Sequence, residues 1–172
     1  MKRTFLGMCL SLILIGCGYK PTTYYAKSVL GERIYAEVTI SRQDPQNTVL
    51  IKDSVNEAIV SRFGGKIVSK EAAETFLHVS IGSISFSPTV YDEHGYVIAY
   101  KATVYLNMRY QKREGKVHHI RTSGEYDFSI EANSVISDSK RFDAIRFASN
   151  DALDEFISKI AIKGLYDGNN NQ

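Results

Sequence analysis

Apolar and polar residues alternate with a period of two through the middle of this chain. Even positions Ile98, Tyr100, Ala102, Val104, Leu106, Met108 and Tyr110 are apolar, while odd positions Lys101, Thr103, Asn107, Arg109 and Gln111 are mostly polar. This is the signature of a strand buried on one face. In the return strand Ile120, Thr122, Gly124, Tyr126, Phe128 and Ile130 take the even side, and Arg121, Ser123, Glu125, Asp127 and Ser129 the odd side. Parity fixes the register. A two-residue loop would set apolar residues opposite polar ones; the three-residue loop Arg113-Glu114-Gly115 puts Lys112 opposite Lys116, Lys101 opposite Asp127 and Ala102 against Tyr126. Gly115 is expected to be the left-handed residue of that loop. At about 3.3 Å per residue, Tyr96 to Gln111 extends roughly 50 Å, so the hairpin should protrude.

The flanking segments predict the remaining elements. Ile34, Ala36, Val38 and Ile40 alternate with Tyr35, Glu37 and Thr39 as a half-buried strand, broken by Asp44-Pro45-Gln46-Asn47. Ile51, Val55, Ala58, Ile59, Arg62 and Phe63 recur at helical spacing, giving a helix from about Thr48 to Phe63, capped by Asn47 or Thr48 and stopped by Gly64-Gly65. Ile67 and Val68 form a brief extended piece. A strand from Thr75 to Ser87 changes phase, with Leu77, Val79 and Ile81 odd but Ile84 and Phe86 even, so a bulge belongs at Gly82-Ser83. Ser87 to Gly95 reads as a polar loop. Asp138 or Ser139 caps a closing helix that packs through Phe142, Ile145, Ala148, Ala152, Phe156 and Ile160; it ends at Lys163, stopped by Gly164. Strands and helices in this order make an α+β fold.

The N-terminus carries a different signal. Lys2 and Arg3 precede an apolar run of eleven residues, Phe5 to Ile15, too short to span a membrane. It ends in Leu14-Ile15-Gly16-Cys17, which looks like a bacterial lipobox: a peptidase cuts before the cysteine, whose thiolate carries the diacylglycerol. Residues 1–16 are therefore expected to be a lipoprotein signal peptide, 17–31 a lipidated anchor and linker, 32–166 one domain, and 167–172 a frayed tail. Cys9 is discarded with the signal, leaving Cys17 as the one thiol and no internal disulfide. Two or three acyl chains hold stably where one holds marginally. Gly18 after the cysteine, rather than aspartate, points to the outer membrane, with the body on the periplasmic side.

Cleavage also changes the charge. Taking Lys2 and Arg3 from 21 basic residues leaves 19, against 19 acidic ones, so the net charge of +2 belongs to the discarded segment. A nucleic-acid partner is disfavoured, and recognition of an anion must come from local patches. One such patch is expected near the hairpin loop, where Arg109, Lys112, Arg113, Lys116 and Arg121 gather with His118 and His119 and only Glu114 opposes them, and another where Lys140-Arg141 opens the last helix. Arginine and lysine there could hold phosphates or carboxylates, or simply blunt a protruding strand end. His118 and His119 are adjacent in a strand and so face opposite ways, which does not suit a shared metal. Gly82-Ser83-Ile84 lacks the flanks of a nucleophile elbow. No catalytic set, metal site or cofactor motif is expected, and the chain does not read as an enzyme.

Cys17-Gly18-Tyr19 followed by Pro21, then a strand, a helix ending in glycines, a bulged strand, a long hairpin and a C-terminal amphipathic helix, resembles the LPS-assembly lipoprotein LptE family across essentially the whole mature chain. The resemblance implies two helices on one face of a roughly four-stranded mixed sheet. It implies a non-enzymatic outer-membrane lipoprotein of lipopolysaccharide transport, plugging and helping to assemble the LptD β-barrel and binding lipopolysaccharide. Lys140-Arg141 then falls where a basic ligand contact is expected, whereas Tyr91-Asp92-Glu93-His94-Gly95 departs from that pattern in being acidic. The other reading of the same tether and protruding surface is a periplasmic lipoprotein that activates a cell-wall synthase.

Overall fold

The computed structural model describes residues 22–39 and 45–169. Cys17, the expected signal segment 1–16, Ile40 and Asp44 lie outside them. The helices are α1 (Thr22–Leu30), α2 (Pro45–Ser61) and α3 (Asp138–Asn169). The strands are β1 (Arg33–Val38), β2 (Lys66–Ile67), β3 (Thr75–Tyr91), β4 (Val97–Lys112) and β5 (Val117–Ser129). They form one mixed sheet in the order β2-β1-β3-β4-β5, with β1 parallel to both neighbours and β3, β4 and β5 antiparallel. The fold is α+β, with three helices and five strands among the described residues rather than two and about four. The fifth strand is the short piece at Ile67, which pairs with Arg33 and Ile34.

The hairpin register is the one parity required. Lys101 faces Asp127 and Ala102 faces Tyr126. Ala102, Val104, Leu106, Met108 and Tyr110 are buried under the helices beside Ile145, Ala148, Ala152 and Phe156. The bulge falls at Gly82, between Ile81 and Ser83, where a Cβ would stand 3.2 Å from the Tyr105 carbonyl. Gly115, however, does not adopt a left-handed conformation. Its N–H donates to the Lys112 carbonyl at 2.9 Å in a tight turn, and a Cβ there would meet that of Lys112 at 3.1 Å, so glycine suits the turn by its size. β3 also runs on to Tyr91. The expected loop Ser87–Gly95 shrinks to a tip in which Asp92 Oδ1 accepts from the His94 and Tyr96 amides at 2.9 and 2.8 Å, with Gly95 at φ 83°.

Helix ends differ from expectation for local reasons. α2 begins at Pro45, so neither Asn47 nor Thr48 is its cap; proline suits a first turn whose N–H groups lack partners. It stops as expected at Gly64, φ 62°, with the Gly65 amide reaching the Ile59 carbonyl at 2.9 Å. Ser137, not Asp138 or Ser139, precedes α3: its carbonyl accepts from the Arg141 amide at 2.9 Å. α3 passes through Gly164 and the expected frayed tail to Asn169. Gly164 is a crossing point, since a Cβ there would lie 2.6 Å from the Tyr25 carbonyl. That carbonyl belongs to α1, which occupies most of the expected linker 17–31 and buries Ala26, Val29 and Leu30.

α3 lies closest to the sheet at Gly124, where a Cβ would fall 2.0 Å from the Ala148 carbonyl and 2.3 Å from the Ala152 amide. At that distance its side chains close the outer edge of β5. Asp151 accepts from the Glu125 amide at 2.9 Å, Glu155 from the Ser123 amide at 2.7 Å, Lys159 donates to the Arg121 carbonyl at 2.9 Å, and Lys140 donates to the Ser129 carbonyl. Four residues of helix advance about 6 Å and two of strand about 6.6 Å, so the 151, 155, 159 series keeps step with 125, 123, 121. The Lys159 ammonium, then the Ser123 amide, hold the Glu155 carboxyl below its ordinary value.

Gly124→Ala should cost several kcal/mol, roughly 3 or more, because backbone atoms rather than flexible side chains would have to yield; urea unfolding measures it. The depressed Glu155 contributes stability above the unfolded-state value near 4.5, lost as pH falls through the lower folded value. Thermal melts of Glu155→Gln should accordingly sit below wild type at neutral pH, by on the order of 1 kcal/mol after solvent screening, and converge with it in acid.

Candidate functional site

The two basic patches lie at opposite ends of the sheet. Ser129, which Lys140 contacts, pairs with Ala99, and Lys112 lies thirteen residues further along β4, about 40 Å away. At the loop end Arg113 is committed to the protein. Its guanidinium donates to the carbonyls of Ala73 at 2.9 Å, Lys70 at 3.4 Å and Glu71, and it lies 5.9 Å from the centre of the Phe76 ring. Lys112 Nζ donates to the Ser28 carbonyl at 3.2 Å, tying the hairpin to α1. With Arg33 and Glu74 these residues border an open depression of about 430 Å³. Glu74 accepts from the Glu32 amide at 3.0 Å and the Arg33 amide at 3.4 Å. These backbone bonds, with the Arg33 guanidinium, hold its carboxyl below the usual range. Lys116 is exposed in the loop.

Arg121 belongs to neither end. It stands on the helix-free face, where its Nε donates to Asn107 Oδ1 at 2.9 Å, beside a hollow of about 350 Å³ over the Gly82 bulge. This face also carries Thr103, Tyr105, Asn107, Arg109 and Gln111, so it is polar along the length of β4. Lys101 bonds Glu125 at 2.7 Å, diagonal to its register partner, and that contact raises the lysine above its ordinary value. His118 and His119 take opposite faces. His118 stacks on Tyr110 at 4.9 Å, with Lys163 Nζ 2.9 Å from its Nδ1, while His119 is exposed. Among the described residues no group of His, Cys, Asp or Glu is placed to hold a metal.

At the far end the sheet outruns its helices, and the apolar face becomes a half-exposed aromatic cluster. Phe128 packs against Phe86 and Tyr100 at 6.2 Å each and against Tyr126 at 6.5 Å, and Tyr126 meets Phe147 at 4.7 Å. Two guanidiniums cover it: Arg141 stands 5.1 Å from the Phe86 ring centre and Arg146 4.9 Å from that of Phe147. Lys140 completes the rim. Cations over aromatic rings, next to half-buried apolar surface, form a surface for an amphiphile with negatively charged groups. The sequence hides this surface, because even-numbered aromatics in a strand have the pattern of core residues and Arg146 and Phe147 fall off the packing stripe of α3. The usable signal is the pairing of Tyr100 with Phe128, with Tyr126 beside them on the same face, and a helix that begins only at Asp138.

Residues 35–160 match the LptE family, lipopolysaccharide-assembly. The chain belongs to that family. No curated protein sequence matches it with significance. Among solved structures, a putative lipoprotein from Caulobacter crescentus shares the fold at a TM-score of 0.51 and 12% identity, covering 84% of this chain and 96% of its own. The rare lipoprotein B from Shewanella oneidensis is similar at a TM-score of 0.51 and 14% identity, covering 78% and 98%. At such identities the likeness is one of fold. The LptE-family match bears out the sequence resemblance and assigns the chain to lipopolysaccharide assembly. Among the described residues no helix is long and apolar enough to cross a membrane.

Arg113→Ala should leave the carbonyls of residues 70, 71 and 73 without their donor. Faster amide exchange across residues 69–74 and a loss of about 1–3 kcal/mol in chemical unfolding are expected, with the α3 amides unchanged.

Proposed function

We propose that this protein is an outer-membrane lipoprotein, held through acyl chains on Cys17, that plugs and helps to assemble an LptD-like β-barrel and binds lipopolysaccharide. The observation that carries the barrel reading is the helix-free sheet face. It is polar from Gln111 to Lys101, and the sheet stretches far beyond an ordinary strand length. A barrel lumen is polar and wide enough to take such a body, and a polar face loses little by meeting it. Family membership supports the same role without specifying the contact.

The far end is the preferred site for lipopolysaccharide. Lys140 and Arg141 offer charge to its phosphates, beside Arg146, which is shared with Asp143 at 3.0 Å, and the Phe86–Phe128 cluster offers apolar surface to its chains. Charge-assisted contacts from arginine suit phosphate oxygens. Lys112, Lys116 and Arg121 remain candidates for a second anionic contact or for the barrel wall. Arg113, satisfied by carbonyls, is the weakest ligand candidate among these seven basic residues, and the acidic tip Asp92–Gly95 is kept out of the ligand site. The reading involves no catalysis.

Mild detergent extraction with affinity purification should return a large β-barrel as stoichiometric partner; recovery of an inner-membrane synthase instead would favour the cell-wall role. Exchanging Lys140 and Arg141 for alanine should weaken binding of labelled lipopolysaccharide by about tenfold or more, with the barrel complex still recovered. That factor corresponds to about 1.4 kcal/mol. Unchanged binding would remove the far end as the ligand site.

A further inference from the structure

The last turns of α3 present an apolar face that no other described residue covers. Ile160, Ala161 and Gly164 turn inward, whereas Ile162, Leu165 and Tyr166 point to the opposite side, 56%, 43% and 66% exposed. Spaced by three and four, they form one stripe. Tyr24, in the neighbouring helix α1, is 54% exposed.

The chain itself says what lies near this stripe. Only four residues lie between Cys17 and Thr22, so the acylated cysteine can be no farther than about 18 Å from the start of α1. One turn into α1, the Tyr25 carbonyl is pressed onto Gly164, the residue before Leu165. α1 cannot swing away from α3 without losing the burial of Ala26, Val29 and Leu30. A short tether and a fixed crossing therefore hold the apolar stripe close to the lipid surface in which the acyl chains sit. Tyrosine beside leucine and isoleucine is the chemistry that settles at the headgroup boundary.

We infer that Ile162, Leu165 and Tyr166 dock on the phospholipid surface that holds the Cys17 acyl chains, making the tethered end a second membrane contact that fixes how the domain stands on the bilayer. The inference rests on acylation of Cys17. Docking orients the molecule with the lipopolysaccharide-facing end directed away from the anchoring leaflet, since the aromatic cluster and the stripe occupy opposite ends of α3.

The absence of tryptophan from the chain makes the test direct. Leu165→Trp, Tyr166→Trp and, as the distant control, Val135→Trp replace exposed side chains, and matched thermal melts confirm that all three fold. The acylated full-length proteins are mixed with vesicles of phosphatidylethanolamine and phosphatidylglycerol carrying brominated acyl chains, then floated. The expected result is flotation of all three, with a blue shift and loss of emission at positions 165 and 166 and neither at 135. Flotation without quenching at 165 and 166 overturns docking while leaving the lipid tether intact, and makes a protein wall the occupant of the stripe. Equal quenching at 135 overturns it as well, because contact would not be confined to the tethered end. Failure to float removes the tether and the docking together.

Discussion

A backbone-on-backbone contact at Gly124 sets the distance between α3 and the sheet, and most of the molecule follows from that distance. With a side chain at 124 the helix would stand off, because the atoms in the way are the Ala148 carbonyl and the Ala152 amide. With glycine there, and alanines at 148 and 152, the two backbones meet. Asp151, Glu155 and Lys159 can then reach the outer groups of β5. A sheet edge is ordinarily a row of unmet donors and acceptors. Here a helix supplies the missing partners one side chain at a time, so the edge is closed without another strand.

The same close packing separates the charges. α3 is long enough to carry Lys140 and Arg141 to one end of the sheet, while the hairpin carries Lys112, Arg113 and Lys116 to the other. Identical residue types then do different things. Arg113 replaces solvent for three carbonyls, Lys140 closes a strand end, and Arg141 covers an aromatic ring. Because the sequence from Cys17 onward carries as many acidic as basic side chains, such local placement decides what the surface can hold.

The hairpin was legible in the sequence because its information is local. Period-two parity and a short loop leave one register, and the bulge at Gly82 follows from the phase change between Ile81 and Ile84. α1 was not legible, since its apolar stripe of Ala26, Val29 and Leu30 is short and its partner lies at the other end of the chain. Gly164 after a lysine has the look of a helix stop; its actual reason, the crossing of α1, involves residues about 140 positions away in sequence. The basic residues of the candidate site were visible as types, but a sequence does not say that a guanidinium is already used by carbonyls. The aromatic cluster was hidden by its own regularity, because whether Tyr126 and Phe128 are core depends on how far a helix reaches.

Chains are made from the N-terminus, and closure of β5 by α3 therefore has an order in time. β3, β4 and β5 can pair as soon as Ser129 is available, but Asp151, Glu155 and Lys159 arrive later. Until they do, the strand that ends up sealed is a template for any extended segment nearby. A chain cut short before Asp151 would be adhesive as well as unstable. The C-terminal helix is thus the nascent protein's release from its own stickiness, and whatever attends the chain before that point must shield one strand edge.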